Sequence, residues 1–352
     1  MTANAKKSEL LAWGKENLKG VENQLFPSFT PDMSDIDEDG IRWDIQQTIK
    51  HGFNAMGGFG MNMSQEENQR FYRIMAEEAK GKLHLVTAAL GMPPAQTIEY
   101  LTFMKKMGWE VCMFGFPSHM YFKTVDEAWQ YAKAIFDKSP MPINLYITHK
   151  FNFERFHPGR FPLDLLERMA EHENVVTLKL AMYDPVFIFQ ACERVADKVL
   201  VGQPWFQWLP MLHRHYGQQW IGMGTYEVFQ TPEKRYLVDF INLILKGEYE
   251  KASEIYWKLT PVVKMYEKQF IPTIEPGVYN GIMLKYFQWV TGGNGGWIRG
   301  DQHHYYEYQK EETKAAVRAI GITPREPDEE FYIGRLNYEK MKKGKIKVSN
   351  LR

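Results

Sequence analysis

Short apolar runs alternate with amphipathic helical segments along most of the chain, after a polar N-terminal segment that is typical of a helix. Eight of the apolar runs are typical of buried strands; they cover residues 24–30, 54–58, 83–88, 109–114, 143–148, 175–180, 199–202 and 219–223. Strands that alternate with helices form βα units around a parallel sheet. The pattern therefore predicts an α/β fold of eight βα units, the number that closes a (β/α)8 TIM barrel.

Two helix starts carry a capping signal. Ser64 precedes Glu67 by three positions, and Thr124 precedes Glu127 by the same spacing. In a capping box the hydroxyl and the carboxylate each accept a hydrogen bond from the other residue's backbone amide. Both pairs follow a candidate strand, so they predict the helices of the second and fourth βα units.

The pattern changes after residue 231, where long helical segments replace the alternation. These segments cover residues 232–246, 249–268, 277–290 and 303–320. We therefore predict an N-terminal helical segment at 1–23, a barrel core at 24–230, and the last barrel helix with a C-terminal helical extension at 231–352. The glycine-rich stretch at 292–296 is interpreted as a mobile turn or a helix stop, and the basic stretch at 341–347 as a solvated end or a subunit contact.

Composition narrows the function classes. The 352 residues carry 43 Lys+Arg against 43 Asp+Glu, so no basic excess indicates a nucleic-acid partner. The two cysteines, Cys112 and Cys192, lie in apolar stretches without metal-ligand or disulfide spacing, which favours a reducing compartment. The sequence shows neither a signal-peptide pattern nor an apolar run long enough to span a membrane. We expect a cytoplasmic protein without a membrane partner.

Lys179 is the most informative position for chemistry, because it lies near the end of the sixth candidate strand, inside the apolar run 175–181. A buried ammonium must be paired or lose its proton, and a neutral lysine amine can attack a carbonyl carbon. Lys179 is therefore a candidate Schiff-base nucleophile. The alternative is a lysine that pairs with a neighbouring carboxylate at the strand end.

Tyr146 is the second candidate, on the fifth predicted strand. Side chains at the ends of adjacent barrel strands meet at the C-terminal mouth, where barrel enzymes assemble their active sites. A phenol held near an amine and a carbonyl can relay protons. The alternative is a core tyrosine.

Other motifs are weaker. The glycines at 57–60 and 222–224 do not complete a dinucleotide fingerprint, and neither His213 with His215 nor His303 with His304 has the spacing of metal ligands. We therefore predict no metal and no dinucleotide cofactor.

Several segments occur in an order that matches a known family. They are Phe29-Thr30-Pro31-Asp32 with Asp39-Gly40, Phe116-Pro117, Tyr146, Lys179, Val201-Gly202, and the stretches 220–224 and 246–252. From residue 24 to residue 301 the chain resembles the dihydrodipicolinate synthase and N-acetylneuraminate lyase family, including its branch of aromatic hydratase-aldolases.

The resemblance implies a (β/α)8 barrel with C-terminal helices, assembled as a homo-oligomer, usually a tetramer and otherwise a dimer. It implies that Lys179 condenses with the ketone of pyruvate or a related 2-oxo acid and that Tyr146 relays protons. The covalent imine on Lys179 then serves as the electron sink, so the resemblance implies no separate cofactor.

This sequence departs from the family after the second strand. The family's usual Gly-Thr-Thr-Gly-Glu, which holds the substrate carboxylate, is replaced by a shorter stretch at 58–64. Asn62 and the backbone amides around Gly60 are candidates to hold the carboxylate instead. Lys150 and Arg155 are candidates for the basic residue that some members place after the tyrosine, and an insertion at 152–162 explains a longer spacing between Tyr146 and Lys179.

We therefore predict a Schiff-base lyase, an aldolase or hydratase-aldolase, that acts on a 2-oxo acid and a bulky aldehyde, including an aromatic one. Many aromatic side chains in the loops favour that aldehyde; they are Phe59, Phe116, Trp205, Phe206, Trp208, Tyr226 and Trp297. Predicted substrate-binding residues are Phe59, Gly60, Asn62, Gly222 and Tyr226. The alternatives are a dehydratase, deaminase or hydrolase that uses the same lysine on a substrate without the carboxylate, and a non-catalytic ligand-binding barrel.

Overall fold

The computed structural model describes residues 6–60, 62–274, 279–300 and 303–348. Its strands are β1 Gly20–Leu25, β2 Ala55–Gly58, β3 His84–Leu90, β4 Val111–Gly115, β5 Ile143–Thr148, β6 Val175–Ala181, β7 Leu200–Gly202 and β8 Trp220–Gly224. Its helices are α1 Lys7–Asn17, α2 Glu38–Lys50, α3 Gln65–Ala79, α4 Pro94–Lys106, α5 Val125–Phe136, α6 Leu163–Glu171, α7 Pro185–Val195, α8 Leu209–Tyr216, α9 Tyr236–Leu245, α10 Tyr249–Ile274, α11 Gly281–Trp289, α12 Glu307–Ala319, α13 Asp328–Ile333 and α14 Arg335–Lys342.

The strands form one sheet in the order β7-β6-β5-β4-β3-β2-β1-β8. The pairs from β3 to β7 are parallel, and a helix follows each strand. Sequential neighbours joined by helices are the topology of the (β/α)8 barrel. The predicted fold class, a TIM barrel with C-terminal helices, is confirmed.

The described residues group into two compact units. One consists of the chain up to Glu22 together with His84–Met223, and the other of Asn23–Leu83 together with the chain from Gly224 onward. The first unit holds β3 to β7 and most of β8, and the second holds β2 and the C-terminal helices. Each unit is described by itself below.

Strand register in the first unit determines which side chains face the same way. Tyr146 on β5 pairs with Lys179 on β6, and Lys179 pairs with Gly202 on β7. Side chains alternate between the two faces of a strand, and paired residues of neighbouring strands share a face. Asn144 and Thr177, which also pair, therefore lie on the same face as Tyr146 and Lys179.

Predicted and observed strands agree closely except at the first. The run at 24–30 was predicted as a strand, but β1 is Gly20–Leu25, and this prediction was wrong. Beyond Leu25 the apolar residues Phe26 and Phe29 are buried in an irregular segment, where Pro27 has no amide proton to donate to a sheet. The strand itself carries polar residues, including Glu22 and Asn23, so its apolar pattern is weak.

One of the two capping signals forms completely. Ser64 accepts a hydrogen bond from the Glu67 amide, and the Glu67 carboxylate accepts one from the Ser64 amide at 2.8 Å. Thr124 also accepts from the Glu127 amide, but the Glu127 carboxylate accepts from the Lys123 amide instead of that of Thr124. The second capping box therefore lacks its carboxylate hydrogen bond, although the helix forms as predicted.

The C-terminal extension is helical, as predicted, with shifted boundaries and the two additional helices α13 and α14. Residues 61, 277, 278 and 301, which fall within predicted segments, and residues 1–5 lie outside the described residues. The helix predicted at 277–290 begins at Gly281, and Asn280 caps it by accepting a hydrogen bond from the Met283 amide. No helix among the described residues is long and apolar enough to cross a bilayer.

The glycine-rich turn at 292–296 is more than the mobile turn or helix stop expected from the sequence. Asn294 is buried; its amide donates to the Asp44 carboxylate at 2.6 Å, and its carbonyl and side-chain oxygens accept from the amides of Arg335 and Leu336. Asn337 on α14 donates to Asp37 at 2.9 Å. The turn and α14 therefore pack against α2 and the residue before it, Asp37.

Candidate active site

Lys179 lies near the end of β6, a strand whose residues are all buried. Its side chain is 6% exposed, although it carries an amine. Burial lowers the pKa of Lys179, because the charged form loses hydration, and the negative charge of Glu22 acts in the opposite direction. Burial thus favours the neutral, nucleophilic form of this amine.

Tyr146 is the neighbour of Lys179 on the adjacent strand. The Lys179 Nζ lies 5.1 Å from the centroid of the Tyr146 ring. The ring of Phe151 contacts the Tyr146 ring edge-on, with centroids 5.8 Å apart. A Cβ at Gly115 would lie 2.8 Å from Phe151 and 3.2 Å from Tyr146, so glycine makes room for both rings. The structure therefore brings the two predicted catalytic side chains together.

Glu22 is a candidate site residue that the sequence analysis does not identify. It is 4% exposed on β1, while the next side chain, Asn23, hydrogen-bonds Thr48 on α2 and so points away from the barrel interior. Alternation therefore directs Glu22 inward. Burial raises the pKa of Glu22, and the positive charge of Lys179 opposes that rise. A first strand predicted at residues 20–25 places Glu22 among the inward-facing positions. An inward-facing glutamate is costly unless it is paired, which marks it as a candidate site residue.

Further polar atoms lie on the same face of the sheet as Lys179. Asn144 and Thr177 are each 1% exposed. Within the described residues, Asn144 Oδ1, Thr177 Oγ1 and Glu22 Oε1 have no hydrogen-bond partner. An unsatisfied buried polar atom costs about 1–3 kcal/mol, and such atoms are normally satisfied by ordered water or by a ligand. These groups therefore indicate a polar interior around the lysine.

Trp220 fills space that two glycines leave open. A Cβ at Gly202, the register partner of Lys179, would lie 2.5 Å from two indole carbons of Trp220. A Cβ at Gly222 would lie 2.0 Å from the same ring. The indole therefore lies against Gly202 and Gly222, on the face of the sheet that Lys179 shares. Gly222, predicted to bind substrate, accommodates this indole.

The two basic candidates after Tyr146 have different environments. Arg155 donates to the backbone carbonyls of Asn152 and Phe122 and stacks on Tyr121, with its guanidinium carbon 4.0 Å from the ring centroid. Lys150 is half-buried, and burial and the positive charge of Lys179 lower its pKa to about 8. Lys150 is therefore the basic side chain that interacts electrostatically with Lys179, whereas Arg155 braces a loop.

The other predicted substrate-binding residues belong to the second unit. The Asn62 side-chain amide donates to the Arg299 carbonyl at 2.5 Å, and Gly60 leaves room for Asn68, whose Oδ1 would lie 2.2 Å from a Cβ there. The Phe59 ring lies 5.8 Å from Phe26. Tyr226 is buried beside Gly224. Their roles in substrate binding remain predictions.

The aromatic loop residues divide into core and site neighbours. Phe116 belongs to a buried aromatic cluster and contacts Phe114 and Phe153 at centroid distances of 5.2 and 5.0 Å. The rings of Tyr183 and Trp205, which follow β6 and β7, pack against each other at an interplanar angle of 30°, with centroids 4.4 Å apart. This aromatic pair follows the strands of Lys179 and its register partner Gly202.

Comparison with known proteins agrees with this geometry. A model of the dihydrodipicolinate synthetase family matches residues 17–276. The chain is 24% identical over 256 residues to 4-hydroxy-tetrahydrodipicolinate synthase of Methanothrix thermoacetophila, covering 70% of this chain and 81% of the relative.

Two solved structures share the fold. Dihydrodipicolinate synthase from Oceanobacillus iheyensis matches with a TM-score of 0.73 at 16% identity, over 88% of this chain and 99% of that chain. N-acetylneuraminate lyase from Fusobacterium nucleatum matches with a TM-score of 0.69 at 18% identity, over 86% of this chain and 99% of that chain. Because the family model covers well over half of the sequence, the chain belongs to the dihydrodipicolinate synthetase family, whose members are class I Schiff-base lyases.

Proposed function

We propose that this lyase forms an imine between Lys179 and a 2-oxo acid such as pyruvate, and that it makes or breaks the carbon-carbon bond to a bulky aldehyde. The observation that carries the proposal is the buried Lys179 amine, 5.1 Å from the centroid of the Tyr146 ring on the adjacent strand. A desolvated amine beside a phenol has the two groups that imine formation requires, a nucleophile and a proton relay.

The proposed chemistry follows from the imine. The neutral Lys179 amine attacks the ketone carbon, and loss of water leaves a positively charged iminium nitrogen. This nitrogen accepts the electron pair of the bond broken at the adjacent carbon, and Tyr146 moves the proton between the substrate oxygens and solvent. Because the imine is the electron sink, the reaction needs no separate cofactor.

Lys150 is proposed to hold the substrate carboxylate in place of the family's threonine pair. Lys150 and Lys179 interact electrostatically, so a substrate carboxylate next to the reacting ketone would neutralise the Lys150 ammonium and reduce its repulsion of the iminium formed at Lys179. Arg155 is unsuited to this role, since its guanidinium donates to two backbone carbonyls.

The half-buried Tyr183 ring, which packs on Trp205, favours an aromatic aldehyde half, because an aromatic ring binds another ring better than a chain of hydroxyls. This feature supports the hydratase-aldolase alternative within the family. We also expect a homo-oligomer, as the family resemblance implies, and a cytoplasmic location, as the sequence pattern favours.

Borohydride trapping tests the proposal. The protein is incubated with pyruvate and sodium borohydride, and the intact mass and the modified peptide are determined for the wild type, Lys179→Ala and Lys285→Gln. Lys285 is the matched control, because it is also fully buried and burial lowers its pKa to about 8. We expect an adduct on Lys179 in the wild type and in Lys285→Gln, and none in Lys179→Ala. An adduct that persists in Lys179→Ala would overturn the proposal.

A second candidate keeps Lys179 but uses a carbonyl compound without a carboxylate, in a dehydratase, deaminase or hydrolase. Glu22 favours it, since the protein already supplies a negative charge to the lysine. Trapping with neutral ketones and aldehydes, but not with pyruvate, would support this candidate. Ligand binding without any covalent adduct would instead support a non-catalytic barrel.

A further inference from the structure

Glu22 takes no part in the mechanism proposed above, yet it is an inward-facing carboxyl in a polar interior. It is 4% exposed, and within the described residues its Oε1 has no hydrogen-bond partner. A buried carboxylate is expensive unless a positive charge or hydrogen bonds compensate it. The positive charge of Lys179 stabilises the Glu22 carboxylate, and the negative charge of Glu22 stabilises the Lys179 ammonium.

The charged and titratable groups around Lys179 come from three elements. Glu22 lies on β1, Tyr146 lies on β5, and Lys150 lies in the turn that follows β5. Of these, Lys150 adds positive charge and Glu22 adds negative charge. Imine formation fixes a positive charge at the lysine nitrogen, so the negative charge of Glu22 stabilises the site more strongly once the imine has formed.

We propose that Glu22 and Lys179 share one proton in the free enzyme, and that the Glu22 carboxylate balances the iminium cation once the imine has formed. The inference rests on the proposed function, since it requires Lys179 to be the imine-forming residue. Glu22 acts through Lys179 and is therefore a positioning residue, which sets the protonation state of the nucleophile.

The proton balance follows from this arrangement. In the free pair the proton resides either on the amine, giving ammonium and carboxylate, or on the carboxyl, giving neutral amine and acid. The neutral amine attacks the ketone carbon, the carbon-nitrogen bond forms, and the carbon-oxygen bond breaks. The pair holds three hydrogens, two on the amine and one shared; two of them leave with the ketone oxygen as water, one stays on the iminium nitrogen, and Glu22 is left as the carboxylate. The step therefore takes up no net proton from solvent, whichever group relays the protons.

Without the carboxylate the balance changes. In Glu22→Gln the lysine loses the negative charge that raises its pKa, so the free amine is neutral at lower pH. Formation of the iminium must then take up one proton from solvent. A reaction that takes up one proton weakens about tenfold for each unit of pH increase.

Calorimetry with pyruvate tests the proposal. Heats of imine formation are measured at pH 8 in buffers of different ionisation enthalpy, which yields the protons taken up per imine, and the dissociation constant is measured from pH 7 to 9. The variants are Glu22→Gln, Glu22→Asp and Glu227→Gln. Glu227 is the matched control: it is a buried glutamate whose pKa burial raises, but it is hydrogen-bonded by Asn23 and Gln288 and interacts with Asp44.

We expect Glu22→Gln to take up close to one proton more than the wild type, and its affinity relative to the wild type to fall roughly tenfold per pH unit above neutrality. Glu22→Asp and Glu227→Gln should resemble the wild type. Because the pKa of Lys150 depends on the charge at Lys179, the comparison is repeated with Lys150→Met in each background, which removes that titration. Circular dichroism and thermal unfolding establish that each variant is folded.

Equal proton uptake by Glu22→Gln and the wild type, with an adduct trapped in both, would overturn the inference while leaving the proposed function intact. The same extra uptake in Glu227→Gln would also overturn it, since the effect would then belong to any buried glutamate. Absence of a Lys179 adduct in the wild type would instead refute the proposed function and this inference together.

Discussion

Lys179 and Tyr146 are register partners on parallel strands, and the lysine Nζ lies 5.1 Å from the centroid of the tyrosine ring. Backbone hydrogen bonds of the sheet fix this relationship, so the two groups need no loop to bring them together. Placement on adjacent strands gives a catalytic pair the rigidity of the scaffold. The pair is therefore preorganised for attack on a carbonyl.

Tyr146→Phe should keep the ring contact and lose only the hydroxyl. If the phenol relays protons, we expect the turnover number to fall by about 10²–10⁴-fold, the usual contribution of general acid-base catalysis, with the thermal midpoint nearly unchanged. Steady-state kinetics and the rate of borohydride trapping measure the effect.

Tyr131→Phe is the control for this experiment. Tyr131 donates to the Met92 carbonyl at 2.5 Å within the aromatic cluster, so its variant should lose about 1 kcal/mol of stability without loss of turnover. Similar kinetics in Tyr146→Phe and the wild type would exclude Tyr146 as the relay.

Lys150 should make pyruvate binding depend on pH. A carboxylate binds the charged ammonium, and the pKa of Lys150 is about 8, so KM should rise as the pH increases through that value. Lys150→Arg should remove this rise, because a guanidinium stays charged, whereas Lys150→Met should raise KM at every pH. Measurement of KM from pH 6.5 to 9.5 distinguishes the variants. A flat profile in the wild type would refute carboxylate binding by Lys150.

His51 in the second unit should make the protein sensitive to acid. Burial and the nearby charge of Arg235 lower the pKa of His51 from 6.5 to about 3, and its Nδ1 lies 3.2 Å from the Gln230 amide. The folded state thus binds fewer protons than the unfolded state below pH 6.5. The stability contribution is fully present above that pH and falls by up to about 1.4 kcal/mol per pH unit as the pH decreases towards 3.

Urea unfolding between pH 7.5 and 4.5 measures this slope. His51→Gln should show a slope smaller by up to one proton, while the buried carboxyls titrate alike in both proteins. Parallel curves for the variant and the wild type would show that His51 is not the acid-sensitive group.

Gly202 and Trp220 should be coupled energetically. A Cβ at Gly202 would lie 2.5 Å from two indole carbons, so Gly202→Ala should cost about 1–3 kcal/mol of stability through overpacking. In a Trp220→Phe background the smaller ring should accept the methyl group at a lower cost. A double-mutant cycle by urea unfolding gives the interaction energy; strict additivity would mean that the ring moves away freely.

Much of the site was predictable because it lies on strands with strong patterns. Lys179 and Tyr146 interrupt apolar runs near their C-terminal ends, where charge and hydroxyl are conspicuous. The sequence does not identify Glu22, because the neighbouring apolar segment, which includes Phe26 and Phe29, is the stronger strand pattern. Periodicity alone does not distinguish a short strand from a buried irregular segment.

The roles of Lys150, Arg155 and Asn294 depend on tertiary contacts that the sequence does not show. Lys150 and Arg155 have similar spacing from Tyr146, and only their contacts show that carbonyl oxygens occupy the arginine. The contacts of Asn294 with Asp44 and with α14 join distant parts of the chain. No local pattern predicts such pairs, which is why the glycine-rich turn was underestimated.

The contacts of Asn294 and α14 determine which residues a shortened version of this protein must keep. The family model ends at residue 276, before Asn294 and α14, whereas Asp37, Asp44 and Ser28 lie within it. A version trimmed to the family's extent would leave these polar groups, two of them acidic, without the partners that hold them in the interior. Boundaries drawn from the family model would therefore separate residues that stabilise one another, and the smallest stable form of this protein should extend through α14.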